Sequence, residues 1–81
     1  MKLTEQEIKY YKHGAKGLVF TAEDAKKVDG DRMDTITAQA TMDVSKKSPK
    51  RSISDFKNAE EYKFYQIALY DAATQAQYGL L

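Results

Sequence analysis

His13 is the only histidine in the chain, and there is no cysteine. A zinc site needs three or four nitrogen, sulfur or oxygen ligands, and a catalytic histidine needs a positioned partner. The neighbouring sequence supplies neither. At the end of "EQEIKYYKH", His13 is better placed in a capping role at a helix C-terminus. Glu60 and Glu61 are adjacent, so on a helix they point about 100° apart and cannot act as one acid–base pair. "DGDRMD" begins like a calcium-binding loop, but Gly30 comes second and Met33 takes a ligand position; it reads as an exposed acidic turn. The glycines, at positions 14, 17, 30 and 79, form no loop that cradles phosphate. No grouping joins a nucleophile, a base and an oxyanion donor. The expectation is a non-catalytic protein that needs no cofactor and no metal.

The charged stretch "SKKSPKRS", residues 45–52, is the clearest candidate for contact. It holds four cations, three serines and the only proline. Lys46, Lys47, Lys50 and Arg51 would neutralise about four phosphates, giving a salt-sensitive attraction to nucleic acid. The run also has the form of an import signal, or of a kinase site at Ser48. The plainer reading is a solvated basic loop that blunts a sheet edge and touches an acidic surface, with nucleic acid as the alternative ligand.

Six tyrosines form a second group. Tyrosine offers a rigid surface with a polar tip and suits interfaces, but it also fills cores short of aliphatic residues. In the C-terminal stretch Tyr62, Tyr65, Leu69, Ala72 and Ala76 recur at spacings of three and four, the pattern of an a/d seam. Phe56, Ile67, Tyr70 and Tyr78 form another apolar stripe. A helix with two apolar stripes has two faces to cover, and a short chain can cover one by itself. The seam residues are the expected partner or oligomer interface.

The elements that position these groups follow from caps and periodicity. Thr4 and Glu7 form a capping box, with Leu3 and Ile8 at staple positions, so a helix starts at Glu5 and stops at Gly14. "GLVFT" is extended, and Thr21 caps a second short helix, "AEDAKKV". In residues 35–44, "TITAQATMDV", apolar and polar residues alternate at every position, which favours a strand. Met33, Ile36, Ala40 and Val44 also fit one helical face, but the three threonines and the clean alternation favour strand. Pro49 suits a turn, so "KKSPK" becomes a hairpin tip and "RSIS" its returning strand. Asp55 caps a long helix over 56–78, ended by Gly79. The expected fold is a single small α+β domain over residues 1–81: N-terminal helix, short second helix or extended segment, β-hairpin, and a long C-terminal helix packed on the hairpin.

Composition limits the function. The chain has 81 residues and a formal net charge of +1. Leu, Ile, Val and Phe together number only 15, with ten alanines making up part of the core. A domain of this size without disulfide or metal usually relies on association for stability. Charge is uneven: residues 1–20 carry +2, 21–45 carry −3, 46–57 carry +4 and 58–81 carry −2. The N-terminus lacks the apolar core of a signal peptide, and no apolar run approaches the ~20 residues that span a bilayer. These features point to a cytoplasmic protein that does not enter membranes. The expected function is a protein-interaction module, oligomeric, of the modulator or inhibitor type that phages and mobile elements encode, acting by surface occlusion. Its partner is a protein or a second copy of the chain. A nucleic-acid-binding module and a structural subunit of a larger assembly are the alternatives.

Overall fold

The structure, a computed structural model, describes residues 2–81. It contains four α-helices: α1 (Glu5–Lys12), α2 (Ala22–Ala25), α3 (Gly30–Ser45) and α4 (Ala59–Gln77), with a 3₁₀ turn at Ile53–Asp55. No strand occurs among the described residues, so the α+β expectation and its hairpin are overturned.

The helix ends follow the local chemistry. In α1 the Glu7 N–H donates to Thr4 Oγ1 at 3.1 Å and the Thr4 N–H donates to Glu7 Oε1 at 2.8 Å. Thr21 and Asp24 repeat the device on α2. Gly14 follows α1 with φ of +87°, a left-handed conformation that glycine adopts without a Cβ penalty. At the end of α4 the Leu80 N–H donates to Gln75 O and the Gly79 N–H to Ala76 O, at 2.8 and 3.1 Å. This is a Schellman cap, with Gly79 in the left-handed region.

The expected strand over 35–44 is the second half of α3. Its buried residues are Ile36, Ala40, Asp43 and Val44, spaced four, three and one. Met42 and Ala38, which a strand would turn inward, lie outside. The threonines adapt to the helix: Thr35 Oγ1 donates to Asp31 O at 3.0 Å and Thr37 Oγ1 to Met33 O at 2.8 Å. These bonds to the preceding turn occupy hydroxyls that would otherwise compete with the backbone. No second strand exists among the described residues for this segment to pair with, because "RSIS" leads into the 3₁₀ turn, closed by Ser52 and Asp55. Asp55 therefore caps that turn. Asn58 caps α4 instead, its Oδ1 accepting the Glu61 N–H at 2.9 Å.

The supposed hairpin tip is the C-terminal cap of α3. The Ser48 N–H donates to Asp43 O at 2.8 Å and the Lys47 N–H to Val44 O at 3.1 Å, again a Schellman arrangement. Lys47 sits at φ of +54°, where an L-residue with a Cβ pays about 1–2 kcal/mol. Pro49 then prevents the helix from resuming. Lys47→Gly is expected to raise stability by about 0.5–1 kcal/mol, after loss of its exposed pair with Glu7. A urea midpoint that falls would contradict this assignment of the cap.

α3 and α4 form the main contact. Arg32 meets Glu61 near both N-termini, and Asp43 meets Tyr65 farther on. The contacts advance in the same sense, so the connecting strap, residues 46–58, must run back along α3. The 16 residues of α3 span about 24 Å, a distance the strap covers easily. α1 lies antiparallel on α4: Lys12 reaches Gln77, while Gly14, later in the chain, sits beside Gln66. Around α4 the core closes with Ile36, Ala40 and Val44 from α3 and with Leu3 and Tyr11 from the N-terminal segment. Ala40, Ala72 and Ala73 are essentially inaccessible and let the helices approach closely. No helix among the described residues is long and apolar enough to cross a membrane.

α2 is anchored by charge. Lys63 Nζ contacts Asp24 Oδ2 at 2.7 Å. That hydrogen bond, with the Thr21 backbone N–H, holds the Asp24 carboxyl down to about 2. Hydrogen bonding from Arg32 likewise lowers Glu61, and the Thr4 backbone N–H lowers Glu7. These folded-state values lie below the ordinary ones, so their stabilisation is complete above the usual carboxylate range and is lost as pH falls through the folded values. The urea midpoint should therefore drop between about pH 5 and about pH 2, and Asp24→Asn should flatten the lower part of that curve.

Candidate functional site

The a/d seam faces inward. Tyr65, Leu69, Ala72 and Ala76 are buried in the chain's own core, and Tyr62 is half-buried. All five were expected at a partner interface; the first four instead hold α4 in the core against α1 and α3, while Tyr62 meets Phe56 of the strap. Phe56, from the other stripe, also turns inward, its ring 5.0 Å from that of Tyr65 and 5.9 Å from that of Tyr62. The rest of that stripe stays outside. Ile67 is half-buried, Tyr70 is 36% exposed and Tyr78 is 71% exposed.

The four strap cations separate into two kinds. Lys47 Nζ pairs with Glu7 at 3.4 Å. Arg51 grips the buried Asp43 with two bonds, Nε–Oδ2 at 2.9 Å and Nη2–Oδ1 at 3.3 Å. Tyr65 Oη donates to the same carboxylate at 2.6 Å and accepts the Arg51 N–H at 3.1 Å. Tyr11 Oη donates to Ser48 O at 2.6 Å, and Tyr10 Oη accepts the Lys50 N–H at 2.8 Å. Three tyrosine hydroxyls thus pin the strap to the helices. Burial pushes the Tyr65 and Tyr11 hydroxyls well above and above their ordinary range respectively, so both remain donors. A second buried carboxylate, Glu61, is held by Arg32 Nη2 at 3.0 Å and by the Lys57 N–H at 3.1 Å.

Lys46 and Lys50 have no carboxylate partner among the described residues. Lys50 lies over the Tyr10 ring, 4.7 Å from its centroid, and its Nζ is 3.4 Å from His13 O. That contact joins the strap to the end of α1, where Lys9, Lys12 and Lys16 also lack carboxylate partners. Lys12 Nζ sits 4.6 Å above the Tyr70 ring. His13 is the C-cap residue of α1, its own N–H bonded to Lys9 O. Two basic segments far apart in sequence thereby form one cationic surface beside the exposed tyrosine of α4.

That surface is concave. A depression of about 530 Å³ lies over Ile8, Lys12, Gly14 and Tyr70. Tyr70 also borders a second depression, of about 280 Å³, floored by Leu18 and Ile67. A third, of about 150 Å³, shares Ile67 and Asp71 with the second and ends at Thr37 and Thr41. Together they make a furrow along the outward side of α4, basic at the α1 end and bearing Asp71 midway. The acidic residues Asp29, Asp31 and Asp34 lie exposed on the first turns of α3, near the opposite end of α4.

Sequence reasoning missed Asp43 and Glu61 as buried anchors and Lys9, Lys12 and Lys16 as surface cations facing one depression. The only sequence signal for the lysines was the spacing of three that places Lys9 and Lys12 on one side of α1; Lys16 lies beyond the helix end and carries no such signal. Comparison with protein-family models, curated proteins and solved structures gave no match in any of the three.

Proposed function

We propose that the chain is a non-catalytic protein-interaction module that works by occluding a partner's surface through the outward face of α4. One observation carries this reading: Ile67 and Tyr70 line a furrow that no other segment among the described residues fills, with Tyr78 exposed at the C-cap of the same helix. A large aromatic side chain left half in water beside a concave apolar strip has the character of an interface anchor. The tightly pinned strap and the small-residue contacts of α3 and α4 present that face on a rigid frame, so little ordering cost falls on binding. The interface moves from the inward seam to Ile67, Tyr70 and Tyr78, while Lys50 remains in the contact region.

Photocrosslinking tests the reading directly. Benzoylphenylalanine placed at Ile67 or Tyr70 in the producing cell should crosslink to one defined protein, whereas the same group at Asp34 should not. Tyr70→Glu should abolish the crosslink from position 67 while leaving the helical circular dichroism intact. Crosslinks from 67 and 70 no more frequent than from 34 would remove the proposal. Crosslinks solely to another copy of the chain would make the face a self-association surface.

A further inference from the structure

We infer that the cationic end of the furrow is a clamp for an acidic amphipathic helix of a partner protein; this rests on the reading of α4's outward face as the interface. Lys9, Lys12, Lys16 and Lys50 converge on the C-terminal end of α1 without one carboxylate partner among the described residues. Six other cations of the chain are paired with acids, and these four are the majority of the seven that have no carboxylate partner among the described residues. No acidic residue lines the depression that Lys9, Lys12 and Lys16 border, and its floor is apolar, from Ile8 and Tyr70. The ammonium groups of Lys12 and Lys50 lie over tyrosine rings, which limits their rotamer freedom before a ligand arrives.

The shape of the charge selects the partner class. A nucleic-acid strand carries phosphate at every step and needs a cationic track along its whole length. Here the cations reach no farther than Lys16, which shares the second depression with Asp71, and Asp71 is the only charged residue lining the third. An amphipathic helix fits this layout. Its apolar face meets Ile8, Tyr70 and Ile67, and carboxylates along one edge meet the lysines, as in helix-in-groove recognition. Asp71 then disfavours acid on the far half of the ligand, which fixes its direction.

Fluorescence anisotropy with two labelled probes tests this on the full chain. One probe is a 14-residue helical peptide with leucines on one face and glutamates along one edge of its N-terminal half. The other is single-stranded dT14. The peptide should bind, more weakly as NaCl rises from about 50 to about 300 mM, and dT14 should bind less well. Lys9→Glu, Lys12→Glu and Lys16→Glu together should weaken the peptide by about tenfold or more, with unchanged circular dichroism; the matching glutamine triple should give a smaller loss of the same sign. Tyr70→Ala should weaken it independently. If the triple variants bind as wild type while Tyr70→Ala does not, the acidic-partner inference fails and the interface reading survives. If the lysines matter and Tyr70 does not, the clamp stands and that reading of the stripe fails. Tighter binding of dT14, or no binding of the peptide, overturns the inference.

Discussion

Tyr65→Ala is expected to cost about 3–5 kcal/mol of folding stability. An 81-residue domain holds about 4–12 kcal/mol in total, so the variant should lose at least about a quarter of its stability and its urea midpoint should fall steeply. Tyr65 is fully inaccessible, stacks against Phe56 and supplies both a donor and an acceptor to the strap. Truncation leaves a cavity at the junction of α3, α4 and the strap and strips Asp43 of a neutral donor. Tyr65→Phe separates the two contributions: it keeps the ring and should lose about 1.5–3 kcal/mol, the worth of a hydrogen bond to a charged group. Urea unfolding followed by circular dichroism checks both. The alternative for this residue, a partner-facing seam, makes the opposite forecast, namely a folded chain that merely dissociates. A Tyr65→Ala protein with wild-type urea midpoint would return the seam to the surface.

Asp43→Ala is expected to cost about 3 kcal/mol, the low end for breaking a buried ion pair. The low end applies because the Arg51 side chain is 37% exposed and can turn to water once its partner is gone. Tyr65 Oη cannot, and would keep only its bond from the Arg51 N–H. The strap should loosen as well: hydrogen exchange at the Lys50 and Arg51 amides, which donate to Tyr10 and Tyr65, should accelerate far more than exchange within α4. Combining Asp43→Ala with Tyr65→Phe should cost less than the two singles added, by about 0.5–3 kcal/mol, because they share one bond. Full additivity would mean that the 2.6 Å contact between them contributes nothing.

Both substitutions act through residues whose role no short window reveals. Asp43 reads as a polar residue on the outer side of an alternating strand. It is buried because Arg51, eight positions on, and Tyr65, twenty-two positions on, converge on it. The strand expectation failed for a related geometric reason. Ile36, Ala40 and Val44 are spaced by four, an interval that is even, and so keeps one face of a strand, but is also close to one helical turn. Only Ala38, Met42 and Asp43 distinguish the two readings, and their exposure and burial depend on what packs nearby. The basic run misled in the same way. A lysine at positive φ followed by a proline serves a helix cap as well as a hairpin, and the choice belongs to the preceding helix.

By itself the sequence determined what depends on neighbours within about one turn of chain. The Thr4–Glu7 and Thr21–Asp24 boxes, the glycine stops at 14 and 79 and the spacing of Tyr65, Leu69, Ala72 and Ala76 along the last helix were legible because caps and periodicity are local. Tertiary structure decided which stripe was covered, which carboxylates were buried and which lysines stood together. The reason is combinatorial: a face or a charge is spent only when a distant segment arrives to meet it. Here α1 and α3 arrived at the Tyr65 and Leu69 side, leaving Tyr70 and its lysines to the outside.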